Sequence, residues 1–312
     1  MLRGSKLWPV DLLHLGVLFV LLLVCTTGLG EIRGASGWLV FNTAAVISVV
    51  GVSRWLMRQS GRRAAVSRLI LGCVTVPVVF TQVGFVLAEY RDVEYAGFLF
   101  DLDRRIFLGV NPLEALEKIS TPWLTEVMQW SYTAYLFLPV ATILVVIASA
   151  DVKGTSRAAW TLVGGIYLSY LGYALVPASG PNIHSNLGPI APVNIPVLPL
   201  YTFTDPLPGL WLAEEMRLAM FHAEPTKRDC FPSGHTAVAF ICAVIIGRAS
   251  RRHGLWAWPL AVMVALSTIY LRYHYVVDVI VGIALAWFAV GPLERLHDRL
   301  YREHDSVQSG RS

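Results

Sequence analysis

Charge is scarce in this chain. Asp, Glu, Lys and Arg make up 15% of its 312 residues, against about a quarter in an average soluble domain. With 55% hydrophobic residues and a mean hydropathy of +0.57, that scarcity excludes an ordinary soluble fold. Cysteine is nearly as rare. Cys25, Cys73, Cys230 and Cys242 form neither a disulfide framework nor a metal-ligand spacing, and three of them fall inside apolar runs. Cys230 has no base spaced to activate it, so it reads as a small packing residue. Internal repeats, low-complexity segments and a separate soluble domain are all missing. The net charge of +4 is small and sits in loops, so no nucleic-acid partner is expected.

Apolar runs are abundant, and many are long enough to cross a bilayer, which takes about 20 residues. Eight are read, over 8–29, 37–57, 66–88, 129–149, 158–177, 232–248, 255–272 and 275–293. The expected fold class is all-α, a polytopic membrane bundle of about eight transmembrane helices. Residues 8–29 have a basic flank like a signal peptide, but the apolar stretch is too long and no small-residue cleavage site follows, so they read as the first transmembrane helix. Residues 1–60 then supply two accessory helices, 61–295 a membrane domain with a six-helix core, and 296–312 a cytoplasmic tail.

Cytoplasmic loops carry the excess of Lys and Arg. With the N-terminus inside, the inner segments hold Arg3, Lys6, Arg54, Arg58, Arg62, Arg63, Arg68, Lys153, Arg157, Arg248, Arg251, Arg252, Arg295, Arg299, Arg302 and Arg311, sixteen of the 25. Both termini are therefore expected in the cytoplasm. Two long segments face the other side. Residues 89–128 mix charge with apolar residues and read as amphipathic helices in the interface. Residues 178–231 begin rich in proline and glycine, and a loop of that length reads as a lid or funnel.

Two motifs stand at the outer mouths of apolar helices. The first is Phe231-Pro232-Ser233-Gly234-His235-Thr236. Pro232 suits the first helical position, and the N–H groups around Ser233 and Gly234 are left free to bind an anion. The second is Arg272-Tyr273-His274-Tyr275-Val276-Val277-Asp278. If helical, it places His274 and Asp278 on one face, where the carboxylate fixes the imidazole's tautomer. Arg228, Arg272 and Lys227 read as a phosphate clamp, with Arg272 on the helix face of Thr268. Two histidines, an anion cradle and an orienting carboxylate point to phosphoryl transfer through a histidine. A metal site is the competing reading, but His274 and Asp278 lack a third ligand and the nearby basic residues repel a cation, so no metal is expected. His14, His184, His222, His253, His297 and His304 read as ordinary interface histidines.

The P-S-G-H and H-x-x-x-D motifs resemble the type 2 phosphatidic acid phosphatase (PAP2) superfamily of membrane lipid phosphatases. The His274-Tyr275-Val276-Val277-Asp278 spelling is similar to the branch containing inositol phosphorylceramide synthases. The resemblance implies His274 as nucleophile, Asp278 as its orienting group and His235 as the acid that protonates the leaving oxygen, without metal or cofactor. The chain departs from the superfamily pattern in two places. No lysine is followed seven residues later by Arg-Pro, and Ser267 is followed by Thr268 where an arginine is expected.

The function expected is that of an integral-membrane lipid phosphatase acting on a lipid phosphate or diphosphate through a phosphohistidine on the outer face. The alternatives are a phosphotransferase that moves a phospho-headgroup to a lipid alcohol, and a non-catalytic headgroup binder or transporter. The partners expected are a phosphorylated membrane lipid and the bilayer, the location a bacterial inner membrane. Asn182, His184, Tyr201 and Trp211 are candidates for headgroup selection.

Overall fold

A computed structural model describes residues 7–28, 34–56, 61–90, 93–189, 193, 195, 197–224 and 226–309, with side chains except at 88–90 and 304–309. Arg3, Lys6, Arg58 and Arg311 of the charge count lie outside the described residues, as does the side chain of His304. The chain is an all-α polytopic bundle. Its order is α1 (Pro9–Thr27), α2 (Ala35–Leu56), α3 (Arg62–Tyr90), α4 (Ala96–Ile106), α5 (Pro112–Glu117), α6 (Pro122–Ala134), α7 (Leu138–Ser149), α8 (Val152–Leu175), α9 (Ala213–Ala223), α10 (Gly234–Ala249), α11 (Arg251–Tyr270), α12 (Val276–Phe288) and α13 (Glu294–Ser309). The β pairing among the described residues is limited to two isolated bridges, Ala178 with Asp229 and Ser185 with Tyr201.

Seven helical stretches among the described residues are long and apolar enough to span a membrane, and α10 is a shorter apolar helix of 16 residues. The expected eight thus become seven plus one. The span expected at 129–149 starts earlier, at Pro122, because Thr121 caps α6 by accepting from Leu124 N–H; a short 3₁₀ turn, Tyr135–Phe137, joins it to α7. Within the stretch expected as a tail, 296–312, the described residues up to Ser309 belong to the helix α13, which continues from α12 through a π turn.

The bundle is built around α10, which packs between α7, α8, α11 and α12. Lipid offers no hydrophobic drive between helices, so close approach through small side chains matters most. Ala237, Ala239 and Ala243 of α10 are fully buried, and Gly165 of α8 lets Ile241 in where a Cβ would meet it at 2.4 Å. Within 89–128, the stretch expected to form amphipathic helices, the chain forms α4 and α5. Near the same end, Trp123 and Trp211 meet edge to face and are both exposed, as aromatic side chains are at a membrane interface.

Two helices are capped from a distance. Asp103 of α4 accepts from the N–H groups of Val276 and Val277 at 2.8 Å each, which closes the start of α12. Glu126 of α6 accepts from four successive N–H groups, Leu210 to Ala213, at the start of α9. Each bond satisfies donors that a helix cannot satisfy for itself.

Candidate active site

The first motif starts α10 differently from the sequence expectation. Ser233 is the N-cap, its Oγ accepting from Thr236 N–H at 3.3 Å, so Gly234 is the first helical residue and Pro232 lies outside. Ser233 N–H donates to the Asp278 carbonyl at 3.1 Å, which leaves Gly234 and His235 to supply the helix-start N–H groups. Close approach explains two glycines. A Cβ on Gly234 would lie 2.1 Å from the Tyr173 hydroxyl, and one on Gly282 of α12 would lie 2.6 Å from the Ser233 carbonyl oxygen.

The second motif is a tight reversal between α11 and α12. Tyr273 and His274 N–H both donate back to the Thr268 carbonyl, and Arg272 takes the left-handed conformation at φ 64°. The loop after α8 is stitched to both motifs: Cys230 N–H donates to Ala178 O, Asn182 N–H to Arg272 O, and the Tyr275 hydroxyl to Ser179 O.

These segments bring the two histidines into contact. His274 Nε2 and His235 Nδ1 are 3.3 Å apart, His274 Nδ1 is 3.4 Å from Asp278 Oδ2, and the Tyr132 hydroxyl is 3.0 Å from His235 Nε2. One set of tautomers satisfies the whole chain of contacts. Tyr132 O–H donates to His235, His235 Nδ1–H to His274 Nε2, and His274 Nδ1–H to Asp278. The attacking lone pair of His274 is thereby on Nε2, facing His235. Burial pushes His274 down to about 4, so its imidazole is neutral at physiological pH.

The three cations expected to bind phosphate each stand beside a carboxylate. Arg272 pairs with Glu117 at 3.2 Å, donates to the Asp205 carbonyl and lies over the Phe203 ring, 3.5 Å from its centroid. Its left-handed backbone turns it off the helical face of Thr268. Arg228 is buried with its Nε 3.6 Å from Glu94 Oε2. Lys227 does line the polar cavity at the histidines, and its ammonium donates to the Phe221 carbonyl and pairs with Glu224 at 3.3 Å.

That polar cavity measures about 30 Å³ and is lined by Asn182, Lys227, Asp229, Cys230, His235, His274 and others. A second cavity of about 480 Å³ meets it at Tyr132, Asp229 and His235, and runs between Phe80, Pro139, Val140, Ile166, Tyr170 and Val238. It is mostly apolar, and its volume lies within the range of small-molecule pockets.

The PAP2 superfamily profile matches residues 97–291, more than half of the chain. The chain belongs to the PAP2 superfamily. A PA-phosphatase related-family protein of Dictyostelium discoideum is 29% identical over 91 residues, a stretch that covers 29% of this chain and 16% of that protein. The chain therefore matches well under two thirds of that relative's length. No solved structure matches.

Within this PAP2 chain the structure adds residues that the sequence did not single out. Tyr132 comes from a different helix, and nothing in the aromatic-rich run of α6 distinguishes it. Asp229 borders both cavities; burial and neighbouring Glu224 raise its pKa. Cys230, read as packing, has its Sγ 2.8 Å from Asp278 Oδ2 and 3.4 Å from His274 Nδ1. Of the other histidines, His14, His184 and His297 are buried and bonded to Tyr167, Ser179 and Ser156 rather than lying at an interface. Among the headgroup candidates, Asn182 reaches the polar cavity, His184 and Tyr201 are buried, and Trp211 is exposed.

Proposed function

We propose that this PAP2 protein is a membrane phosphatase that hydrolyses a lipid phosphate or diphosphate through a phosphohistidine at His274. The observation that carries the reading is the directed chain Tyr132–His235–His274–Asp278 standing where an apolar cavity meets a small polar one. The lipid's tail occupies the apolar cavity and brings its phosphate to the histidines. On entry the phosphoryl group replaces the direct contact between the two imidazoles. His274 Nε2 attacks phosphorus, Asp278 stabilises the charge that forms on the ring, and His235, which takes up a proton as the anionic phosphate enters, delivers that proton to the leaving oxygen and ends neutral. The Gly234 and His235 N–H groups face charge growing on the phosphoryl oxygens, and Lys227 adds a cation at the same cavity. Water then attacks the phosphohistidine with His235 acting as base.

A second reading has a specific observation behind it. Asp229 and Glu224 border the cavity at the histidines, and a carboxylate there can hold a lipid alcohol as acceptor in place of water, which gives a phosphotransferase. The orientation we propose, from the lysine and arginine distribution, has both termini in the cytoplasm and the site on the outer face of the membrane.

The test is phosphate release by detergent-purified protein, with EDTA present, from phosphatidate, phosphatidylglycerophosphate and polyprenyl diphosphate. Release that is lost in His274→Ala supports the phosphatase. Release that persists in the variant sinks the nucleophile assignment. No release from any of them, with transfer seen once a ceramide and phosphatidylinositol are supplied, selects the phosphotransferase.

A further inference from the structure

From the sequence alone, His274 and Asp278 have no third ligand and nearby cations repel a metal. Neither condition holds in the folded chain. Cys230 Sγ, His274 Nδ1 and Asp278 Oδ2 lie within 4.8 Å of one another and all three residues are buried. Arg272 is occupied by Glu117, Lys227 by Glu224, and Arg228 stands beside Glu94.

The spacing is close to that of a tetrahedral zinc site. Zinc bonds of about 2.3 Å to sulfur and about 2.0–2.1 Å to nitrogen and oxygen put ligand atoms roughly 3.3–3.6 Å apart. Sulfur to nitrogen and nitrogen to oxygen are each 3.4 Å here, while sulfur to oxygen is 2.8 Å, the contact of a thiol donating to a carboxylate. A second observation also points to a ligand. Asp278 is fully buried, three donors (Cys230, His274 and Tyr275 N–H) crowd its Oδ2, and its Oδ1 has no partner. A buried carboxylate oxygen left bare is uncommon and suits a cation.

We propose that Cys230, His274 and Asp278 form an inhibitory site for a thiophilic divalent cation, zinc above all. The Cys230 S–H bond breaks as the metal–sulfur bond forms, and the proton leaves to solvent. The metal takes the Nδ1 lone pair of His274, so the neutral imidazole carries its proton on Nε2. The atom required to attack phosphorus then has no lone pair, and metal binding and phosphoryl transfer exclude each other. The proposal rests on the assignment of His274 as nucleophile for its effect on activity, but not for metal binding itself.

The experiment titrates Co²⁺ into the full-length detergent-purified protein after EDTA has been removed. The expected result is a near-ultraviolet sulfur-to-cobalt absorption that saturates at about one ion per chain, is bleached by Zn²⁺, and is lost in Cys230→Ser. A chain carrying C25S, C73S and C242S keeps the band, which guards against a general effect of losing thiols. In the phosphate-release assay, half-inhibition of Cys230→Ser needs at least about tenfold more Zn²⁺ than that of the wild type. Absence of the band, its persistence in Cys230→Ser, or equal Zn²⁺ sensitivity of the two proteins overturns the proposal. If no substrate releases phosphate, the phosphatase reading falls while the cobalt band still decides the metal site.

Discussion

Tyr132 touches His235 and nothing that reacts, so its part is to orient. With its hydroxyl on Nε2, His235 is held in the tautomer that presents Nδ1–H to the reaction centre. Tyr132→Phe removes one hydrogen bond worth about 1–1.5 kcal/mol, so kcat should fall about tenfold with KM unchanged. The pH–rate profile should move as well, because the proton held by His235 changes its setting. An unaltered kcat and profile would remove Tyr132 from the mechanism. A second histidine tests the fold rather than the chemistry. His184 Nδ1 accepts from Leu198 N–H at 3.1 Å, so its proton sits on Nε2, facing Ser179 Oγ at 2.6 Å. Burial lowers His184 to about 4 from 6.5. A pKa depressed by folding contributes stability that is present above about 6.5 and lost as pH falls towards about 4. Thermal unfolding of wild type and His184→Gln across that range should therefore converge as the pH drops, and parallel curves would contradict the assignment.

At the scale of elements, the start of α12 depends on α4. The two α12 N–H groups that Asp103 receives have no other helical partner, and His274 stands two residues before the first of them. Asp103→Ala should cost about 1–2 kcal/mol in thermal unfolding and lower phosphate release as well, with Asp103→Asn intermediate because it keeps one acceptor. Unchanged stability in the alanine variant would mean that α12 is held by its packing alone. This capping also marks the limit of what the sequence could show. The membrane helices were legible because each is a long apolar run, and His235, His274 and Asp278 because each sits in a short local motif. Asp103 acts across 173 positions, and Tyr132 meets His235 across 103. Such contacts exist only once the bundle has formed, and no spacing encodes them. The placement of Arg272 was hidden for a related reason. Its helical face was inferred from Thr268, but the helix ends at Tyr270 and the left-handed turn sends the guanidinium to Glu117.

Across the whole molecule, the superfamily match begins at residue 97 and leaves α1, α2 and α3 ahead of it. A buried ion pair lies where those helices meet. Arg68 of α3 holds both oxygens of Asp11 of α1 at 3.1 and 3.0 Å, donates to the Ser53 carbonyl of α2 at 3.4 Å, and lies over the Trp8 ring. Both charged side chains are 1% exposed, so neither has water to fall back on. Removing one partner strands the other charge in the protein interior and should cost about 3–5 kcal/mol, whereas exchanging both for apolar residues of similar size should be close to neutral. Thermal unfolding of Asp11→Ala, Arg68→Met and the double variant Asp11→Leu with Arg68→Met tests this directly. Marked destabilisation of each single variant with recovery in the double is the expected pattern. It would mean that the pair fixes how the first three helices meet rather than supplying net stability. If the double variant is as unstable as the two singles combined, the ion pair itself holds α1 and α2 to the rest of the bundle, and the hairpin is bound by charge instead of by packing.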